Sequence, residues 1–366
     1  MIFFGIILVV FALLFWNIRQ IIPGKCGSLI AGVLLAMTFL CFLFRENFFA
    51  CVGQTFLFVW LCQALLLYLL FDFFLLGKFL LFRIQKKKTE NAKIKIWGSR
   101  ILFGLSLLIA AIFLGIGIPH NSDYKIRELT IPTNGENFSA IYFSDLHLNP
   151  LFQRSKFEKL IAQADSIQPD FILFGGDLAD ISDSSMTNAG YDSLFRKLVS
   201  KSKILTLAVT GNHEAYMERS GADPEGWLRK VGAVVLNDET ICTPVACFTG
   251  RVDFQVAKIR EIPRKNLKEL LPSDLSLPWI LMDHQPKGIE KDYMGRLPNL
   301  ALSGHTHRGQ FFPGTVIINL VWRHAYGFSL LDGVPWLVTS GLDSWGLPVR
   351  IFSDTEFWVI HFISKN

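Results

Sequence analysis

The sequence predicts an α/β sandwich at residues 119–366, preceded by about four transmembrane helices in residues 1–118. Three observations predict this arrangement. Long apolar stretches without charge fill the first third of the chain. Beyond residue 138, short apolar runs of strand length alternate with segments whose apolar residues recur at helical spacing. Five of these runs lead directly into a polar motif, which is where open α/β sheets place their ligand sites.

Four uncharged stretches predict the membrane-spanning helices: residues 1–18, 26–44, 47–71 and 101–122. Runs of about 18 or more apolar residues are long enough to cross the hydrocarbon core of a bilayer. A mean hydropathy of +0.36 for the whole chain also favours a membrane protein. For the first stretch a secretory signal peptide is the alternative, but that stretch lacks a basic beginning and a small-residue cleavage site.

Basic residues concentrate between the third and fourth predicted spans, in a predicted loop at residues 83–100. Glu90 alone opposes a set of seven cations, which are Arg83, Lys86, Lys87, Lys88, Lys93, Lys95 and Arg100. Cytoplasmic loops are enriched in Lys and Arg, so we expect this loop in the cytoplasm and both the N-terminus and residues 119–366 outside it. The run 86–88 is alternatively a contact for anionic lipids, which fits the same topology.

Residues 101–366 are mildly acidic. Residues 1–100 contain 11 Lys and Arg and 3 Asp and Glu, which leaves 25 and 28 of the totals of 36 and 31. A nucleic-acid-binding surface needs a basic patch, so no nucleic-acid partner is expected.

The predicted sandwich is built from buried strands and amphipathic helices. Continuous apolar runs at 138–143, 171–174, 204–209, 279–282 and 300–302 are typical of buried parallel strands. Residues 155–166 and 191–202 have helical spacing of apolar residues. After residue 307 the pattern at 316–320, 333–338 and 357–362 predicts further strands, in an antiparallel sheet that closes the second half of the sandwich.

The six cysteines fall into two groups. Cys26, Cys41, Cys51 and Cys62 lie in or beside the predicted spans, where they serve as apolar side chains. Cys242 and Cys247 flank a short turn and form either a disulfide, in an oxidising compartment, or a pair of buried reduced thiols.

Five polar motifs carry the candidate chemistry. They are Asp145-Leu146-His147, Gly176-Asp177, Gly211-Asn212-His213-Glu214, His284, and Gly304-His305-Thr306-His307. Carboxylate, amide and imidazole ligands together suit divalent Mn, Fe, Zn or Co. Glycine beside a ligand lets the backbone turn tightly near a metal. Two cations held about 3.5–4 Å apart by a shared carboxylate can clamp a phosphoryl group and activate water.

In this order and spacing, the motifs resemble those of the calcineurin-like metallophosphoesterase family. The resemblance covers about residues 138–366, and the tail with Pro313 and Pro348-Val349-Arg350 is similar to a bacterial, membrane-anchored branch of that family. The resemblance implies a four-layer αββα sandwich and a hydrolase with two divalent metal ions.

The resemblance also implies roles for individual residues. Asp145, His147 and His307 would hold the first metal, and Asn212, His284 and His305 the second. Asp177 would bridge the two metals. His213 would act on the leaving group as the catalytic residue. Glu214 and Asp180 would support these side chains. Arg308 would either contact the substrate phosphate or be an exposed spacer.

The sequence therefore predicts a multi-pass membrane enzyme whose catalytic domain lies outside the cytoplasm. The expected substrate is a phosphomonoester, phosphodiester or pyrophosphate, and the predicted spans favour a lipid-linked or envelope substrate in contact with membrane lipids. The alternative is a metal-stabilised binding module or transporter accessory without catalysis. The sequence gives no oligomeric state.

Overall fold

The computed structural model describes residues 11–22, 24–43, 47–84, 91–291 and 293–365. These residues divide into two compact units, Met1–Ile116 and Gly117–Asn366. The helices of the first unit are α1 (Lys25–Leu43), α2 (Phe48–Ile84) and α3 (Asn91–Ser122), the last of which continues into the second unit. Residues 11–18 are also helical.

Two of the four expected spans have helices long and apolar enough to cross a membrane. These are Phe48–Leu81 in α2 and Ile94–Ser122 in α3, with hydropathies of 2.1 and 2.7. The expectation of about four is wrong for the described residues. The apolar part of α1, Lys25–Met37, is too short, and residues 1–10 of the first expected span lie outside the described residues.

Both ends of the predicted basic loop at 83–100 are helical, since one helix ends at Ile84 and the next begins at Asn91. Residues 85–90, with Lys86, Lys87 and Lys88, lie outside the described residues, whereas Lys95 and Arg100 are on α3. The helix begins at Asn91 because the Lys and Arg of its first turns are good helix formers despite their charge. An uncharged stretch therefore predicts which part of a helix could cross a membrane, but it does not predict where the helix begins or ends.

The second unit contains two six-stranded sheets, in the orders β1-β12-β2-β3-β4-β5 and β10-β11-β9-β8-β7-β6. The strands are β1 (Tyr124–Thr133), β2 (Phe138–Phe143), β3 (Phe171–Phe174), β4 (Leu205–Ala208), β5 (Val234–Val235), β6 (Glu239–Cys242), β7 (Cys247–Gly250), β8 (Trp279–Met282), β9 (Leu300–Ser303), β10 (Gly327–Leu331), β11 (Val334–Val338) and β12 (Thr355–Ser364). The α-helices are α4 (Arg154–Ile167), α5 (Asp183–Asn188), α6 (Tyr191–Val199), α7 (Asn212–Arg219), α8 (Pro224–Lys230), α9 (Phe254–Ile259) and α10 (Gly314–Val321). Short 3₁₀ helices lie at Leu267–Leu270 and His307–Gly309.

The two sheets pack face to face. The ring of Phe171 in the first sheet lies 4.6 Å from that of Phe248 in the second, within one buried apolar cluster. Alternate residues of a strand face opposite sides, so Tyr142 joins this cluster while Phe143 packs under the helices on the outer face of the first sheet. The mixed α/β fold is as predicted.

The expected αββα arrangement has a layer of α-helices on the outer face of each sheet. The layer on the second sheet differs from this expectation. Among the described residues, the outer face of the second sheet is covered by Leu267 of a 3₁₀ helix and by loop residues such as Ile289 and Tyr293, in place of α-helices. The segment between β7 and β8 has only a short α-helix and a 3₁₀ turn, so its apolar residues cover the sheet without a continuous amphipathic helix.

Two strand predictions after residue 307 are wrong. Residues 316–320 lie in α10, because a short apolar run rich in Val and Ile has the same signature in a helix and in a strand. The strand at 357–362 exists, but β12 inserts into the first sheet, parallel to β1 and antiparallel to β2. The second sheet is mixed, with β7, β8, β9 and β11 parallel and only its edge strands antiparallel.

Several segments of the chain meet at one edge of the first sheet, where its parallel strands end. The strands β2, β3 and β4 are parallel and end at the same edge. Because Tyr142 pairs with Trp358 in antiparallel register, the beginning of β12 also lies at this edge. Tyr124, the first residue of β1, pairs with Thr355, so the chain enters the sheet from α3 at this edge too.

Candidate metal centre

The predicted metal-binding motifs lie in loops at the ends of parallel strands. Asp145 and His147 follow β2, and Asp177 follows β3. Main-chain hydrogen bonds tie these two loops together, from Asp145 N to Gly176 O (2.9 Å) and from Leu146 N to Asp177 O (2.9 Å). The fold therefore fixes the spacing of these side chains through the backbone before any ion binds.

Five of the predicted ligands have left-handed backbone conformations. Asp145, His147, Asp177, His305 and His307 have φ values from 44° to 69°. Such angles are uncommon outside glycine, and strained conformations of this kind cluster at functional sites, where the surrounding structure holds them.

A first group of ligand atoms comes from Asp145, His147 and His307. The two Nε2 atoms of His147 and His307 lie 3.0 Å apart, and His307 Nε2 lies 3.4 Å from Asp145 Oδ1. Ligands bound at about 2.1 Å in tetrahedral or octahedral geometry are about 3.0–3.4 Å from one another. Two of the three spacings are therefore those of one coordination shell, and the third, between His147 Nε2 and Asp145 Oδ1, is 3.9 Å.

A second group comes from Asp177, His284 and His305, with Asn212 beside it. His284 Nε2 lies 3.1 Å from Asp177 Oδ2, and His305 Nδ1 lies 2.6 Å from Asn212 Oδ1. Asp177 Oδ2 also lies 3.6 Å from His147 Nε2 of the first group. A single carboxylate oxygen thus faces imidazoles of both groups.

His284 tests whether this second group fits a metal ion. Its Nδ1 lies 2.8 Å from the carbonyl oxygen of Gly175 and donates to it, which leaves the lone pair of Nε2 directed at the site. Nε2 is fully buried and makes no well-formed hydrogen bond, although it lies 3.1 Å from Asp177 Oδ2. Buried polar atoms are almost always satisfied, and a cation at this position would satisfy Nε2.

His213 lies beside the ligands and is held by Asp180. Asp180 Oδ1 lies 2.6 Å from Nδ1 of His213 and 3.1 Å from Nδ1 of His147. The main-chain N–H of His213 donates to Asp177 Oδ1 at 2.8 Å. The atoms of His213 are close enough to His147 and Asp177 to complete a third ligand group, but the contact with Asp180 already engages its Nδ1.

Charge and burial shift the protonation of these groups. Burial lowers the pKa of His213, but the carboxylates of Asp177 and Asp180 outweigh it and raise the pKa to about 9. Burial likewise raises the pKa of Asp177, and the neighbouring imidazoles of His284 and His213 more than reverse this, so its pKa lies well below the ordinary value. The centre therefore favours an ionised carboxylate at Asp177, as a bridging ligand requires.

Glu214 is a support for the backbone and is fully buried. Its carboxylate accepts hydrogen bonds from the main-chain N–H groups of Asp177 (3.1 Å), Leu178 (2.6 Å) and Gly211 (2.5 Å). The loops after β3 and β4 are thereby joined. Burial, followed by the charge of Asp177, raises the pKa of Glu214 to about 7.

Arg350 contacts a predicted ligand, although the sequence singled it out only as part of a similar tail. Its guanidinium lies 3.0 Å from Nδ1 of His307 and donates to the carbonyl oxygens of His307, Ser340 and Asp343 at 2.7, 2.8 and 2.6 Å. The residue is fully buried. A buried Arg far along the chain gives no local signal, so its partner could be found only in the fold.

Arg308 is placed differently from the other candidate residues. It is half-buried, and its guanidinium lies 4.3 Å from the ring centroid of Tyr326, in a cation–π contact. Both sequence-based alternatives for this residue therefore remain predictions.

Cys242 and Cys247 form a disulfide across the turn between β6 and β7. They are directly opposite each other in the antiparallel register of these strands. Of the two alternatives left open by the sequence, the structure has the bonded one.

The chain is similar in sequence to a known family and to several known proteins. Residues 139–309 match the family model described as calcineurin-like phosphoesterase. The chain is 27% identical to a zebrafish (Danio rerio) "Transmembrane protein with metallophosphoesterase domain" over 368 residues, covering 92% of this chain and 80% of that protein. It is 28% identical to an uncharacterized metallophosphoesterase of Helicobacter pylori over 66% of this chain. The match spans 65% of that protein, slightly less than two thirds of its length.

A further relative, an uncharacterized metallophosphoesterase of Aquifex aeolicus, is 28% identical over 71% of this chain and 100% of its own length. The match to the family model contains all eight residues that the motifs assigned as metal ligands or catalytic, and the structure brings these residues together. Residues 139–309 therefore match a calcineurin-like phosphoesterase domain, and this match together with the metallophosphoesterase relatives supports a metal-dependent phosphoesterase.

Proposed function

We propose that this protein is a membrane-bound phosphoesterase that works with two divalent metal ions. The observation that carries the proposal is the position of Asp177 Oδ2, 3.6 Å from His147 Nε2 and 3.1 Å from the buried Nε2 of His284. A carboxylate shared by two imidazole groups is the arrangement that offsets repulsion between two neighbouring cations.

The ligands would divide as the motifs imply. Asp145, His147 and His307 would hold one ion, Asn212, His284 and His305 the other, and Asp177 both. Manganese, iron, zinc and cobalt all suit this mixture of oxygen and nitrogen ligands. When bound, such ions supply positive charge to the phosphoryl oxygens and activate a water molecule.

The protein itself supplies the proton. Asp180 holds Nδ1 of His213, which leaves Nε2 of the same ring to act on the leaving group. Against the lowering effect of burial, the carboxylates of Asp177 and Asp180 raise the pKa of His213, which favours the protonated ring. His213 donates its proton to the departing oxygen of a phosphomonoester, phosphodiester or pyrophosphate.

The membrane arrangement is a second part of the proposal. Residues 1–118 would anchor the protein in the cell membrane in several passes, and residues 119–366 would form the catalytic domain outside the cytoplasm. The basic residues around α3 and the Cys242–Cys247 disulfide support this orientation, since disulfides persist in oxidising compartments. A C-terminal alkaline phosphatase fusion should be active and a C-terminal green fluorescent protein fusion dark; the reverse result would refute the orientation.

The activity is tested with the full-length protein in detergent, loaded with Mn²⁺. The substrates are p-nitrophenyl phosphate and bis-p-nitrophenyl phosphate, and the variants are His213→Ala and Asp177→Ala. We expect His213→Ala to retain its metal and lose about 10²–10⁴-fold in rate, as removal of a general acid does. We expect Asp177→Ala to lose both metal and turnover. The matched control is His361→Ala, on β12 outside the site.

The same experiment distinguishes the enzyme from the noncatalytic binding module. If the wild-type protein binds two metal ions and hydrolyses neither ester nor a lipid phosphate, the metal-stabilised binding module is the better description. Turnover that survives in both variants would show that another site is responsible.

A further inference from the structure

The helix α10 turns its apolar side chains outward. None of its residues is buried, and Leu320 is 84% exposed. The exposed residues at and before the helix are Phe312, Val316, Ile317, Leu320 and Val321. The half-buried positions, Thr315, Ile318 and Trp322, recur at helical spacing and form the opposite face. A surface helix of a soluble domain has the reverse arrangement.

No charged residue occurs from Gly309 to Trp322. The polar side chain on the exposed side, Asn319, donates to the carbonyl oxygen of Thr315 in the helix itself at 3.0 Å. The outward surface therefore offers apolar area and few polar partners. Such exposed apolar patches mark protein or membrane contacts.

This surface is joined to the end of a candidate membrane span. The ring of Phe312 lies 6.5 Å from that of Phe352, which is 75% exposed, and Ile351 N donates to Gln310 O. The neighbouring Arg350 N donates to Gly117 O, in the last turns of α3, at 3.0 Å. The segment 350–352 thus links the start of α10 to the helix end that precedes β1.

The same surface borders the metal centre. The ring of Trp322 lies 5.1 Å from that of His305, and the ring of Trp345 lies 6.2 Å from that of His213. Gln310, just before α10, holds Trp345 with hydrogen bonds to its main-chain N–H and carbonyl at 3.0 and 3.1 Å. Apolar surface and aromatic rings therefore lead from α10 to His305 of the second ligand group and to His213.

We propose that α10, with Phe312 and Phe352, inserts into the interfacial layer of the membrane that α3 crosses. A lipid bilayer is the occupant that fits best, because the surface lacks charge, carries tryptophans at its border and lies at the sheet edge where the chain arrives from α3. A phosphoester of a lipid would then reach the metal centre from the bilayer. This second step depends on the proposed function, whereas the insertion of α10 does not.

Insertion is tested with the full-length protein in phosphatidylcholine and phosphatidylglycerol nanodiscs. Cys26, Cys41, Cys51 and Cys62 are replaced by Ala, and an environment-sensitive fluorophore is attached at Leu320→Cys. The control label is at Ile204→Cys, directly before β4 and hence at the opposite edge of the sheet. Quenchers are a doxyl-labelled lipid and aqueous iodide.

We expect the label at position 320 to be quenched by the doxyl lipid and protected from iodide, and the label at 204 to behave oppositely. Iodide quenching at both positions would overturn the proposal. Protection of position 320 from both quenchers would also overturn it, since a second copy of the chain or another protein would then cover α10.

The lipid substrate is tested separately with Ile317→Asp/Leu320→Asp and the control Ile204→Asp. The ratio of phosphatidic acid turnover in nanodiscs to bis-p-nitrophenyl phosphate turnover should fall about tenfold in the double variant, since two apolar side chains no longer enter the bilayer. An unchanged ratio would refute the lipid route while the fluorescence result stands. A wild-type protein without any turnover would instead refute the proposed function and leave the insertion test valid.

Discussion

The guanidinium of Arg350 lies 3.0 Å from Nδ1 of His307, on the opposite side of the ring from the Nε2 that faces Asp145 and His147. Nε of Arg350 donates to the hydroxyl of Ser344, which in turn donates to the amide oxygen of Asn121 at 2.6 Å. The guanidinium thus fixes the main chain of a predicted ligand, through the carbonyl oxygen of His307, and connects it to residue 121, near the end of α3.

Replacement of Arg350 by Lys should weaken metal binding. Lysine keeps the charge but loses the planar set of donors, so the main chain at His307 is no longer held. We expect an affinity for Mn²⁺ about 10–100-fold lower, as for other residues that orient metal ligands, measured by competition with a fluorescent chelator. Arg323→Lys, at an exposed ion pair with Asp332, is the control. Equal affinities in both variants would show that Arg350 has no positioning role.

Replacement of Asp180 by Asn should separate catalysis from folding. The neutral amide no longer holds Nδ1 of His213 and His147 as a carboxylate does, so turnover should fall about 10–100-fold at saturating Mn²⁺. The thermal midpoint in saturating Mn²⁺ should stay near that of the wild type. Asp165→Asn, at an exposed pair with Lys201, serves as the control. Wild-type turnover in Asp180→Asn would contradict the assignment of His213 as proton donor.

Removal of metal should destabilise the second unit. The predicted ligands are buried or nearly so and bring several charges together, and an ion that binds only the folded state stabilises it by about 2.7 kcal/mol at a concentration of 100 times its Kd. Dialysis against EDTA should lower the thermal midpoint, and Mn²⁺ should restore it. The Asp177→Asn variant should show a much smaller response to Mn²⁺. A response equal to the wild type would place the stabilising ion elsewhere.

Asp354 should make stability depend on pH near the end of α3. Its carboxylate lies 3.0 Å from Lys125, 3.1 Å from Arg127 and 3.0 Å from His120. Burial raises the pKa of Asp354, but Lys125 and His120 outweigh it and lower the pKa below its ordinary value. The stabilisation is therefore complete well above the unfolded pKa of about 3.9 and is lost as the pH falls through the folded pKa.

Asp354→Asn should therefore cost about 1 kcal/mol of unfolding free energy at pH 7, because the partners are partly exposed. Urea unfolding between pH 7 and pH 3 is the measurement, and the difference from the wild type should shrink toward the acid end. Glu158→Gln, at an exposed pair with Arg154, is the control and should show almost no difference. A difference for Asp354→Asn that grows with acid would contradict the lowered pKa.

The sequence predicted the five motif-bearing strands because each is a continuous apolar run, which is a local signal. Phe138–Phe143 and Trp279–Met282 have the predicted bounds, and their motifs follow at the strand ends. The position of β12 in the first sheet depends on pairing with β2, more than 200 residues earlier in the chain, and no local pattern specifies it. The helix α10 was missed because apolar side chains that face outward do not give the spacing of a buried helix face.

The candidate site was predictable to the extent that its residues stand in short motifs. Asp145, Asp177 and His305 were identified as ligands by their neighbours in sequence, and their loops meet in the structure. Arg350 contacts His307, 43 residues earlier, and Asn121 contacts Ser344, 223 residues later, so their involvement follows from the fold alone.

The left-handed conformations at the predicted ligands imply a trade-off between folding stability and activity. Each non-glycine residue held in such a conformation carries about 1–3 kcal/mol of strain, and glycine at the same position relieves most of it. Asp177→Gly, with φ of 58°, removes that strain together with the bridging carboxylate. Selection for thermal stability alone, without metal or substrate, would therefore remove the strained residues. These are the residues that are predicted to bind the metal ions.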